Sequence, residues 1–161
     1  MEAICKKVFL KELFKHKKLI LAPNNGQKVV ANSTDVFNFW IDPWFSREKY
    51  KQRQKRSVET PVRVYEITED VSFDEIFASF ENKLTDYCLT QSQIIDFCQQ
   101  YSKYLRKGGY ESYFLFKEDY QFFLAYVYVY SDGLEINSIS LKSSCVLDKE
   151  DELRLILPKI D

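Results

Sequence analysis

The chain of 161 residues contains one histidine, one methionine, four glycines and four prolines. His16 is flanked by Lys15, Lys17 and Lys18. With no second imidazole, no more than one histidine-based acid or base can be assembled, and the four cysteines show no zinc-finger spacing with His16. In that setting His16 reads as an exposed side chain without a catalytic task. So few glycines leave no room for a G-x-G-x-x-G or G-x-x-x-x-G-K phosphate loop, and neither occurs. Cys5, Cys88, Cys98 and Cys145 make no C-x-x-C pair, so no metal and no cofactor is expected from the cysteines.

Long apolar runs are missing as well. A membrane span needs about 20 mostly apolar residues, and a signal peptide about 7–15 unbroken ones. The opening "MEAICKKVFLKELFKHKKLILAP" is interrupted by lysine every few residues. No membrane span is therefore expected, and the expected setting is cytoplasmic with all four thiols reduced. No Ser- or Gly-rich linker and no internal repeat divides the chain, which predicts a single domain over 1–161.

Apolar residues make up 45% of the chain and aromatic residues 16%, enough for a sizeable core. The net charge of −1 hides a polarity: residues 1–56 carry +8 and residues 57–161 carry −9. A basic half can mark a polyanion partner, or two faces of one globule can neutralise each other. The densest positive run is Arg47, Lys49, Lys51, Arg53, Lys55 and Arg56, just beyond Trp40 and Trp44. Tryptophan beside a basic loop over 47–56 makes those eight residues the candidate contact set for a nucleic acid or a protein partner.

Local patterns place the elements. Residues 3–16 read as an imperfectly amphipathic helix, and "KLILAP" with "QKVVA" across Asn24-Asn25-Gly26 reads as a hairpin over about 18–31. Ser33, Thr34 or Asp35 would cap a helical turn carrying Val36, Phe37 and Trp40. "TPVRVYEI" alternates as a strand after Pro61. Ser72 with Glu75, and Thr90 with Gln93, are capping boxes that open helices over 72–84 and 90–106, the second closed by Gly108-Gly109. "YFLFK", "QFFLAYVYVY" and "LEINSISL" read as three antiparallel strands, with Asp132-Gly133 as a hairpin turn, and "DELRLILPK" as a last strand. The expected fold is α+β: one antiparallel sheet of about five to six strands with two or three helices on one face.

Function-bearing motifs are thin. "KGGYESYFLF" at 107–116 approaches the aromatic strand motif of RNA-recognition domains, but it has one residue too many and Glu111 where a small residue belongs. The carboxylates Asp74 with Glu75, and Glu150, Asp151 and Glu152, are sequence neighbours and point in different directions, which does not suit an acid–base pair. Cys98 falls on the apolar stripe of its helix and reads as core. Along residues 121–130, Phe123, Ala125, Val127 and Val129 share one parity, while Phe122, Leu124, Tyr126, Tyr128 and Tyr130 share the other. Tyrosine hydroxyls want partners, so the second face is expected to be only half covered.

The stretches "TPVRVYEI", "CLTQSQIIDF", "YLRKGGYESYFLFK", "FFLAYVYVYSDG" and "RLILPK" resemble an uncharacterised family of small bacterial proteins. The resemblance runs from about residue 18 onward and implies no activity, since none is assigned to that family. Everything together predicts a non-enzymatic soluble binding or interaction domain with an unknown protein partner. The alternative is nucleic-acid binding through the basic amino-terminal half.

Overall fold

The computed structural model describes residues 9–143 and 145–160. An eight-stranded mixed sheet forms the middle of the molecule: β1 (Leu10–Leu13), β2 (Leu19–Leu21), β3 (Trp40–Ile41), β4 (Thr60–Ile67), β5 (Ser112–Glu118), β6 (Gln121–Tyr130), β7 (Gly133–Ser140) and β8 (Arg154–Pro158). The spatial order is β1-β4-β8-β5-β6-β7-β3, with β2 beside β1 on the same edge of β4. The pairs β5–β8 and β3–β7 are parallel and the others antiparallel. Two α-helices are present among the described residues, α1 (Phe73–Ala78) and α2 (Gln91–Gln100).

The expected antiparallel sheet of five to six strands, with its helices on one face, is thus corrected. The helices lie on opposite faces because the central strands are apolar on both parities, and each face needs a cover. On one face, Ile94, Ile95, Phe97 and Cys98 of α2 pack on Val62, Val64, Phe114, Phe116, Ala125 and Ile156. On the other, Phe73, Ile76 and Phe77 of α1, with Tyr87, pack on Ile67, Tyr113, Leu115, Leu124 and Leu155. No helix among the described residues is long and apolar enough to cross a membrane.

Other elements depart from expectation at the amino-terminal end. The helix expected over 3–16 lies partly outside the described residues; in its described part Phe9 is helical, but Leu10–Leu13 is β1 and Lys15 and His16 form a turn. No hairpin joins β2 to residues 27–31, because Val30–Asn32 forms a 3-10 turn. Instead β1 and β2 lie end to end along β4, with Leu13 opposite Val64 and Leu19 opposite Val62. Residues 14–18 bulge out between them, starting from Phe14 at φ 56°. From β2 the chain makes an excursion that returns at β4. Its stem is closed by Asn24 and Ser57, which exchange backbone hydrogen bonds of 3.1 and 3.0 Å.

That excursion explains why α2 is buried on its polar side too. Gln91, Ser92, Gln93 and Asp96 are all buried. Val30 N donates to Gln91 Oε1 at 3.0 Å, Ser92 Oγ donates to Lys28 O at 2.6 Å, and Lys28 pairs with Asp96 at 2.9 Å. Buried polar groups persist when partnered, and here the partners come from the excursion. Both capping boxes form, Ser72 with Glu75 and Thr90 with Gln93. Each helix is nevertheless shorter than expected. The second ends at Gln100, because Tyr101 leaves helical geometry and its hydroxyl reaches Ile20 of β2.

Candidate binding surface

The two tryptophans are separated by the sheet. Asp42 arranges this: its Oδ1 accepts from Trp44 N at 2.9 Å, and its Oδ2 accepts from Ser138 N at 3.1 Å. The chain therefore turns at Asp42, leaving Trp40 on β3 and sending Trp44 into the 3-10 turn Pro43–Ser46. Trp44 stacks on Tyr50 at 4.0 Å and meets Phe123 at 4.7 Å and Phe116 at 5.6 Å, in the α2-side core. Trp40 is the register partner of Glu135, which in turn faces Tyr128. Register partners share a face, so Trp40, Glu135 and Tyr128 form one row across three strands on the α1 side. Ile41, next in the strand, packs on the opposite side with Ile136.

Among the contacts of the described residues, the basic run touches the Trp44 side only through Lys49, which lies 4.9 Å from the Tyr50 ring stacked on Trp44. Arg47, Lys49, Lys51, Arg53, Lys55 and Arg56 are all exposed. Lys49 pairs with Asp119 at 3.3 Å, Lys51 approaches Glu48 at 3.9 Å, and Arg53 Nε donates to Asn25 O at 3.1 Å. Lys55 and Arg56 instead border a cleft of about 470 Å³, together with Lys117, Glu118, Cys88 and the start of α2. Glu118 accepts from Gln91 Nε2 at 3.0 Å, yet burial still raises its pKa above the ordinary carboxylate value. Burial also pushes the Cys88 thiol to about 12, which keeps it protonated and unreactive near neutrality. The described cysteines, Cys88, Cys98 and Cys145, are free thiols, while Cys5 lies outside the described residues.

A different cluster occupies the far corner of the α1-side face. Among the described residues, α1 and its neighbours cover the middle strands and leave the outer part of β6, β7 and β3 half covered, with Tyr126, Tyr128 and Glu135 half-buried and Trp40 and Tyr130 exposed. A stripe of rings runs out from the core there: Tyr113, Tyr126, Tyr128, Tyr130 and Phe39, with successive centroids 5.6, 6.0, 6.0 and 4.5 Å apart. Exposure climbs along it, from a buried Tyr113 to 38% for Tyr130 and 49% for Phe39, with Trp40 at 48%. Asn38 fixes the corner by donating to Asp132 O and accepting from Leu134 N, both at 3.2 Å.

Carboxylates interleave these rings. Tyr128 Oη donates to Glu111 Oε1 at 2.7 Å, and Glu135 Oε2 accepts from Asn137 Nδ2 at 2.8 Å. Desolvation first, and then the bond to Glu111, raise the Tyr128 pKa, so the phenol stays protonated and donating. Among the described residues no lysine or arginine forms an ion pair with Glu111, Asp132 or Glu135. The half-covered tyrosine parity was readable in the sequence. Phe39, Glu111 and Glu135 were not, because they reach the corner through pairings that no local pattern encodes.

The arrangement is that of an open sheet corner, aromatic and acidic. No group of three or more metal-type ligands occurs among the described residues. No family model, curated protein or solved structure matches the chain.

Proposed function

We propose that the protein is a non-enzymatic binding domain and that its docking surface is the aromatic corner formed by Phe39, Trp40, Tyr126, Tyr128 and Tyr130. The supporting observation is the row Trp40–Glu135–Tyr128, which crosses at Tyr128 a stripe of rings that ends at Tyr130 and Phe39. Single exposed apolar side chains are ordinary, whereas a contiguous group with a polar rim is the usual form of an interaction site. Aromatic residues are also the side chains that carry most binding energy at interfaces. The test is selection from an unbiased displayed peptide library, followed by amide shift mapping of the selected peptides. Shifts confined to this corner, and binding lost in Trp40→Ala with Tyr130→Ala, are expected. Shifts elsewhere would refute the assignment.

A second reading, phosphate binding by the basic run, is favoured by one observation: Lys55, Arg56 and Lys117 border one cleft, and Lys117 lies 5.6 Å from the ring of Tyr120, which stands 92% exposed at the β5–β6 hairpin tip. Phosphate contacts release counterions, so such binding must weaken steeply with salt. Replacing Arg53, Lys55 and Arg56 with Gln would then flatten the salt dependence of oligonucleotide affinity. The interaction-domain reading predicts no binding to mixed-sequence DNA or RNA at moderate salt.

A further inference from the structure

We infer that the aromatic corner recognises a basic protein segment, with an arginine side chain seated over Glu135 between the rings of Tyr128 and Trp40, and with Glu111 on the far side of Tyr128. The inference rests on the docking surface proposed above and adds the chemistry of its occupant.

Charge complementarity carries the argument. Glu111 and Glu135 approach Tyr128 from opposite sides, one through its hydroxyl and one as its cross-strand neighbour. Each has one oxygen held by a neutral donor, Tyr128 Oη or Asn137 Nδ2, and neither forms an ion pair with a described lysine or arginine. Asp132 adds a further exposed carboxylate at the β6–β7 turn. A negative potential with no ion-paired counterion among the described residues is complemented by a cation from outside.

The rings point to the same class. The face of an indole or phenol is the negative part of its quadrupole and attracts a cation within about 6 Å. This chain already uses that contact: Arg106 lies 4.9 Å from the Tyr110 ring and Arg154 lies 5.2 Å from the Phe14 ring. Arginine suits the corner better than lysine, because its planar group can stack on a ring while its edge donates to a carboxylate. A phosphate-bearing partner is disfavoured by the same carboxylates. β3 is the outermost strand in the order, so among the described residues no other strand flanks Trp40 on its outer side.

The experiment is an NMR titration with a short glycine-serine peptide carrying arginines, and with the same peptide carrying citrulline, which keeps the planar shape and loses the charge. The arginine peptide should shift the Trp40 indole and the Tyr128 amide. The citrulline peptide, and the Glu111→Gln with Glu135→Gln variant against the arginine peptide, should bind roughly tenfold more weakly. Both glutamines keep an acceptor for Tyr128 and Asn137, and an unchanged melting temperature would confirm the fold. Equal affinity for the two peptides, or no effect of the double variant, would overturn cation recognition. If library-selected peptides still shift the corner in that case, the docking surface survives and only its occupant is wrong. Shifts at Lys55, Arg56 and Lys117 instead would overturn both.

Discussion

Trp40 and Trp44 stand four positions apart and do opposite work. Trp44 fills a cage of Tyr50, Phe45, Phe116 and Phe123, so Trp44→Ala should remove ring packing and cost about 3 kcal/mol in a denaturant melt. Trp40 is half exposed, and Trp40→Ala should stay within about 0.5 kcal/mol of the parent. Comparable losses in both would mean the corner is a structural element. Glu118 offers a pH test. Its folded pKa lies above the ordinary glutamate value of 4.5 because burial disfavours the charged form. The folded state is therefore penalised wherever the group is ionised, and the penalty disappears as pH falls through the folded pKa toward 4.5. Glu118→Gln should raise the melting temperature at neutral pH, with a gain that shrinks in acid. A lower melting temperature at neutral pH would show that the carboxylate earns more from Gln91 than burial costs. Gly133, at φ 146°, has no room for a side chain, since an added Cβ would overlap Asn38 Oδ1. Gly133→Ala should break the Asn38 clamp and lower stability by more than about 1 kcal/mol, read from the same melts.

Elements set by local chemistry were legible. The Ser72–Glu75 and Thr90–Gln93 boxes fix the helix starts, and Asp132-Gly133 turns β6 into β7. Elements defined by distant partners were not. β3 is two residues long and exists only because it pairs with Glu135 and Ile136. The parallel contact of β5 with β8 leaves no trace in the alternation of either strand. Tyr101 shows the same limit: its place on the apolar stripe predicts helix, yet its hydroxyl accepts from Ile20 N at 3.1 Å and donates to Ile20 O at 3.0 Å. Ile20 lies opposite Pro61, so these two groups point away from β4 and would otherwise leave an open edge. Tyr101→Phe should cost about 1–2 kcal/mol and speed hydrogen exchange at Ile20 in particular. Unchanged exchange there would show that water serves the edge equally well.

At the scale of the whole molecule, the charge asymmetry of the sequence resolves into separate surfaces. The exposed cations of 47–56 run past the stem of the excursion, on the side of the cleft bordered by α2. The acidic corner lies on the opposite face of the sheet, among the tyrosines. Half of the candidate site could be read from the chain, since the tyrosine parity and the position of Trp40 are both local. The other half could not: Trp44 is structural, the basic run belongs to another surface, and the carboxylates arrive from β7 and from the residue before β5. Because the chain has only two tryptophans, 5-fluorotryptophan labelling gives one fluorine signal from each side of the sheet, assigned with Trp40→Phe. Titration with library-selected peptides should move the Trp40 signal to saturation while Trp44 stays within its linewidth. Movement of the Trp44 signal with Trp40 unmoved would place binding on the basic side and contradict the account.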